Sequence, residues 1–168
     1  WARRHSEIRR TDAEAGHRGD GPVARVETDW VLLTTEGRPA RVPVEVAEYF
    51  ATEKQFTRER IVLPEPVSGV TTLSTRVRPL DVDPMRHMTN AAYLDMVDDG
   101  LARMPDGHRL ESPDCYRVGY VAPALPHTPI EIRCWPVSER QVACRISDGD
   151  GTELTKVVAS RRARRHGS

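Results

Sequence analysis

Two aspartates, a histidine and an asparagine lie close together in "LDVDPMRHMTN" (80–90), directly ahead of a run with helical spacing. These residue types can do acid–base or nucleophilic chemistry on a bound substrate. The Asp83 carboxylate could orient or deprotonate a water, or attack a carbonyl carbon itself. His87 could act as a general base near neutral pH or hold the water. Asn90 could fix a carbonyl or the water through its side-chain amide. The start of the helix adds backbone N–H groups without intrahelical partners and a partial positive charge. Donors of this kind near His87 to Asn90 could stabilise an oxyanion. Each residue also has a purely structural reading. Asp83 before proline is common in turns, and Thr89 or Asn90 could cap the helix. Asp81 reads as a turn or salt-bridge group. Asp95, Asp98 and Asp99 read as a solvent face, and Met85, Met88 and Met96 as core or tunnel lining.

The elements that must position this cluster are legible on either side of it. "VTTLSTRVRPL" alternates as a strand, and "TNAAYLDMVDDGLARM" carries Tyr93, Met96, Val97 and Leu101 at helical spacing. Four strand-like runs follow, Cys115 to Val121, Ile130 to Trp135, Gln141 to Ser147 and Thr152 to Arg162, separated by turn chemistry such as "DGDG". A strand, one long helix and four antiparallel strands predict an α+β unit with the helix across a curved sheet. Upstream, "PVARVETDWVLLT" places Ala24, Val26, Thr28, Trp30 and Leu32 on one face and Arg25, Glu27 and Asp29 on the other. Residues 1–10 are also strand-like. "TEGRP" predicts a turn that returns Ala40 to Val42 as a partner strand, and Pro43 opens a short helical run. The expected organisation is a partial unit over 1–50, a connector over 51–68 and a complete unit over 69–163.

The 168 residues balance 25 Lys and Arg against 25 Asp and Glu, which gives no general electrostatic case for nucleic acid or acidic membranes. The terminal "RRARR" reads as a solvated end. No apolar run has the length of a membrane span. Three widely spaced cysteines, with no CxxC pair, argue against structural zinc and a disulfide framework and suggest a reducing, cytoplasmic setting. No metal or cofactor is expected.

"LDVDPMRHMTNAAYLD" is similar to the strand-to-helix segment of hotdog-fold thioesterases. Its D-x-D-P opening, with Tyr93 ten residues after Asp83, resembles the hydroxybenzoyl-CoA branch, and its D-x-x-x-H-x-x-N-x-x-Y pattern resembles the acyl-ACP branch. "ARVETDWVLLTTEGRPARVPVEVAEYF" resembles the closing strands of the first of that branch's two tandem hotdogs. The resemblance implies a sheet wrapped around a central helix, here preceded by part of a first hotdog in an N-terminally truncated chain that opens on Trp1. It implies hydrolysis of fatty acyl-ACP or acyl-CoA thioesters, as in fatty acid biosynthesis, by Asp83, His87 and Asn90. Met88, Thr89 and Tyr93 are the expected oxyanion or substrate contacts, and a homodimer or an intramolecular hotdog pair is the expected assembly. The pattern departs at two places. Met85 stands where the acyl-ACP branch has asparagine, and Ala122 to Ala124 stand where it has a glutamate and a cysteine. The alternative is an inactive hotdog that pairs with another and shapes its acyl tunnel.

Overall fold

The computed structural model describes residues 2–11, 18–32, 34, 38, 40–48 and 60–161. The chain forms two compact units, Trp1–Thr57 and Arg58–Ser168.

In the first unit, β1 (Ala2–Thr11) and β2 (Arg18–Trp30) pair antiparallel, from Ala2 opposite Trp30 to Thr11 opposite Arg18. The alternation read in β2 is the pleat of this ribbon, and charged cross-strand pairs line one face. Arg25 reaches Glu7 at 3.1 Å and His5 reaches Glu27 at 3.3 Å. Ile8, Val26 and Trp30 are all exposed. Ala40 to Val42 do not form the expected partner strand. The ten-residue β1 pairs along β2 instead, while Thr34 N–H donates to Arg38 O (2.7 Å) and Ala40 N–H to Leu32 O (2.8 Å). Pro43 precedes a four-residue helix, α1 (Val44–Ala47), as its missing N–H and fixed φ allow. Tyr49 and Phe50, expected in that helix, lie outside the described residues.

The second unit contains β3 (Thr71–Arg76), α2 (Asn90–Ala102), β4 (Cys115–Tyr120), β5 (Pro129–Ser138), β6 (Gln141–Asp148) and β7 (Glu153–Ser160). Its sheet has the order β3-β5-β6-β7-β4, all neighbours antiparallel. β5, β6 and β7 form a meander. At the β6–β7 turn the Asp148 carboxylate accepts from Asp150 N–H (3.0 Å) and Thr152 N–H (2.8 Å), and Gly151 takes a positive φ of 83°. β3 and β4 occupy opposite edges, so the segment joining them must cross the sheet, and α2 makes that crossing.

The helix buries Ala92, Tyr93, Val97, Gly100 and Leu101, and of the stripe read from its periodicity Tyr93, Val97 and Leu101 are buried and Met96 is half-buried. Below it lie Ile130, Ile132, Cys134, Cys144, Ile146 and Val157. Contact is closest at Gly100, where a Cβ would stand 2.8 Å from Cys134 Sγ and 3.4 Å from Ile132 Cγ2. On the other face of the sheet, Trp135 packs with Leu63 and Ala143, and its Nε1–H donates to Pro64 O at 3.1 Å. The Arg145 guanidinium sits 5.7 Å from the indole ring centre. Residues 61–64 therefore cover the Trp135 and Ala143 part of this face.

β3 runs into a 3-10 turn (Pro79–Asp81) pinned by an ion pair. Arg78 Nε and Nη2 donate to the two oxygens of the buried Asp81 carboxylate at 2.8 and 2.7 Å, and Arg78 N–H adds a third bond at 3.1 Å. Hydrogen bonding from the Arg78 side chain holds the Asp81 carboxyl below the usual carboxylate range.

Two outcomes follow. Gly100→Val should lower the unfolding free energy by about 1–3 kcal/mol, since the new side chain has no room over Cys134, as urea titration would show. Asp81 has a depressed folded-state pKa, so its contribution is present above the unfolded-state value of about 4 and is lost as pH falls through the folded-state value. Asp81→Asn should therefore flatten the fall of melting temperature on the acid side of about pH 4, as well as lowering it at neutral pH.

Candidate active site

The residues between the Arg78–Asp81 turn and α2 fold into a tight loop. Val82 and Met88 form an antiparallel bridge. Inside it, Asp83 N–H donates to His87 O and Arg86 N–H donates to Asp83 O, both at 2.9 Å. Arg86 takes a φ of 65°, the left-handed region that closes the loop. The result sets Asp83 opposite His87, which is the physical meaning of their four-residue spacing. The His87 N–H also donates to Asp83 Oδ1 at 3.1 Å. Asp83 Oδ2 and the His87 ring make no hydrogen bond among the described residues, and both side chains are half-buried.

Thr89 is the helix cap. Its side-chain oxygen accepts from Ala92 N–H at 3.3 Å, and Asn90 is the first helical residue, exposed. Of the two capping candidates the β-region backbone of Thr89, with ψ 149°, is the one that points a side-chain oxygen back at the first turn.

A second layer fixes the loop to the helix. Met88 N–H donates to Ala124 O (2.9 Å), and Ala124 N–H donates to the Tyr93 hydroxyl oxygen (3.0 Å). Thr89 N–H donates to Asp81 O at 2.8 Å. Tyr93 is buried, and its ring meets Tyr120 edge-on with centres 5.6 Å apart. Burial pushes the Tyr93 hydroxyl above its ordinary pKa, so it stays protonated as it holds Ala124. Tyr120 OH in turn donates to Asn90 O at 3.2 Å.

Asp83, His87 and Asn90 thus share one corner of the unit. Met88, Thr89 and Tyr93 lie beside it, but their polar groups are engaged: the first two amides bond Ala124 and Asp81, and the Tyr93 hydroxyl bonds Ala124. In the first helical turn the Asn90 and Ala91 N–H groups have no partner among the described residues. Ala91 and Ala124 act here through main-chain atoms alone, which their side chains do not advertise, and Asp81 adds a main-chain oxygen to the salt bridge expected of its side chain. Met85 is 74% exposed, and the Ala124 side chain is fully buried. A groove of about 550 Å³ lies elsewhere, between β3 and the Asp95–Arg103 side of α2, and none of Asp83, His87 and Asn90 lines it. Among the described residues, no cluster of His, Cys, Asp or Glu has the makings of a metal site.

No protein-family model and no curated protein sequence matches the chain. Solved structures do. A Lactobacillus plantarum protein assigned as an oleoyl thioesterase is 22% identical with a TM-score of 0.67, over 96% of this chain and 62% of its own. An acyl-ACP thioesterase from Bacteroides thetaiotaomicron is 13% identical with a TM-score of 0.56, over 75% of this chain and 51% of its own. The E. coli PaaI protein of the phenylacetic acid degradation operon is 7% identical with a TM-score of 0.50, over 59% of this chain and 80% of its own. This chain therefore spans about half to three fifths of the length of the two thioesterases. Its antiparallel sheet and crossing helix, matched by these structures, make the chain a hotdog fold.

Proposed function

We propose that this chain belongs to a thioesterase that hydrolyses fatty acyl-ACP or acyl-CoA. The observation that supports it most is the half-buried Asp83 carboxylate, one oxygen held by His87 N–H and the other open, in the loop that delivers the unpaired Asn90 and Ala91 amides. In this reading Asp83 Oδ2 and the His87 ring hold a water. Asp83 takes its proton as the water attacks the thioester carbonyl carbon. The oxyanion forms against the Asn90 and Ala91 N–H groups, with the Asn90 side chain beside them. The carbon–sulfur bond then breaks, the thiolate leaves and the proton passes to it, leaving the free acid. Asp83 is thus the base, and Tyr93 and Thr89 position the loop rather than touch substrate. The fold shared with thioesterases is consistent with this chemistry.

A cytoplasmic location belongs to the same proposal. The three cysteines are free, and among the described residues no helix is long and apolar enough to cross a membrane. So does pairing with a second hotdog, as a homodimer or within one longer polypeptide. β4 pairs with β7 and stands at one edge of the five-stranded sheet.

One observation favours the non-catalytic reading, in which the unit pairs with another hotdog and shapes its acyl tunnel. Met85, and Ala122 to Ala124, provide no polar side chain where the resemblance leads one to expect an asparagine and a glutamate with a cysteine beside it. Thiol release from medium- and long-chain acyl-CoA and acyl-ACP separates the two. Asp83→Ala should lower kcat by about 100-fold or more while leaving the far-ultraviolet circular dichroism unchanged. A folded wild-type chain with no turnover, alone or joined to a first hotdog, would support the tunnel-shaping role. Arg86→Val should cost about 1–2 kcal/mol of stability, because a β-branched residue is forced into the left-handed region, and Arg86→Gly should be much milder.

A further inference from the structure

Cys134 on β5 and Cys144 on β6 are direct cross-strand partners, and both are fully buried. Pro136, two residues from Cys134 on the same strand, faces Val142 and has no N–H to give, so the Pro136–Val142 pair is a non-hydrogen-bonded one. Hydrogen-bonded and non-hydrogen-bonded pairs alternate along an antiparallel ladder, so Trp135–Ala143 is hydrogen-bonded and Cys134–Cys144 is not. Non-hydrogen-bonded pairs bring Cα atoms to about 4.5 Å, inside the range that a disulfide spans. Both side chains point to the helix face of the sheet, within the core beneath α2, and the Cys134 thiol interacts directly with that of Cys144. Cys115 sits on β4, separated from β6 by β7.

We propose that Cys134 and Cys144 form a reversible cross-strand disulfide when the protein meets an oxidised thiol such as glutathione disulfide. The exchange balances in two steps. One cysteine thiolate attacks the oxidant's disulfide, releasing one reduced glutathione and leaving a mixed disulfide. The second cysteine displaces the other glutathione, so the protein loses two hydrogens and one oxidant disulfide becomes two thiols. Burial sets the pace, since the first attack needs the β5–β6 pair to open. The bond would draw Cys134 Sγ toward β6 and away from Gly100, changing the seat of the helix whose other end carries Asn90.

The test compares equilibria, so slow access does not obscure it. The full chain is equilibrated in graded mixtures of reduced and oxidised glutathione, folded in buffer and unfolded in urea. Remaining thiols are alkylated, and the Cys134–Cys144 link is scored by non-reducing peptide mapping and by a 2 Da loss in intact mass. If the folded sheet accepts the bond, its equilibrium constant should be about tenfold or more higher in the folded protein than in urea. An equal or lower constant in the folded protein would overturn the proposal, as would a mapped link that joins Cys115 instead.

Discussion

The close seat of α2 on the sheet is the contact on which the second unit depends. β3 and β4 lie at opposite edges, so the chain between them has to cross the sheet. The crossing helix can bury its stripe only if its backbone comes down onto β5, and Gly100 permits that approach over Cys134 and Ile132. Once the helix is seated, the position of its N-terminus is set, and with it the corner that carries Asp83, His87 and Asn90. On the opposite face of the sheet, residues 61–64 cover Trp135 and Ala143.

The corner itself reflects competition for a small set of main-chain donors. A loop approaching a helix start must satisfy its own amides, and here Met88 and Thr89 N–H do so with Ala124 and Asp81 oxygens. The free donors are consequently the next two, the Asn90 and Ala91 N–H groups of the first helical turn. Tyr93 is bound into this bookkeeping through Ala124, which places a buried phenol behind the loop as a strut. The Arg78–Asp81 pair sits on the other side, buried on its acid end and solvated on its basic end. The loop is thus braced at both ends while its Asp83 and His87 side chains stay partly open.

Much of this was legible in the amino-acid order. The Tyr93, Val97 and Leu101 stripe, the strand runs after Cys115 and the turn at "DGDG" all carry local signals that packing preserved. The resemblance of 80–95 to hotdog-fold thioesterases was borne out at the level of fold. The partner of β2 was not legible. "TEGRP" has turn chemistry whether or not a strand follows, while β1 is rich in arginine and lacks a clear apolar alternation. The roles of Met88 and Thr89 were also hidden, since spacing shows that amides are near a helix start but not which carbonyls reach them first. Ala124 is the plainest case, because it acts only through its main chain and alanine advertises nothing.

The left-handed Arg86 bears on how such motifs persist. Asp83 and His87 face each other because three intervening residues close a loop with one residue at positive φ. One residue more or fewer would break the Val82–Met88 bridge and slide the helix cap out of place. The spacing is therefore held by the geometry of a turn, independently of any reaction performed there. In a lineage of duplicated hotdogs, a copy released from catalysis could exchange its reactive side chains freely while its folding continued to select the same interval. Aspartate-to-histidine distance along the chain would then trace shared ancestry of the scaffold, and the identities of the polar groups around it would trace the chemistry.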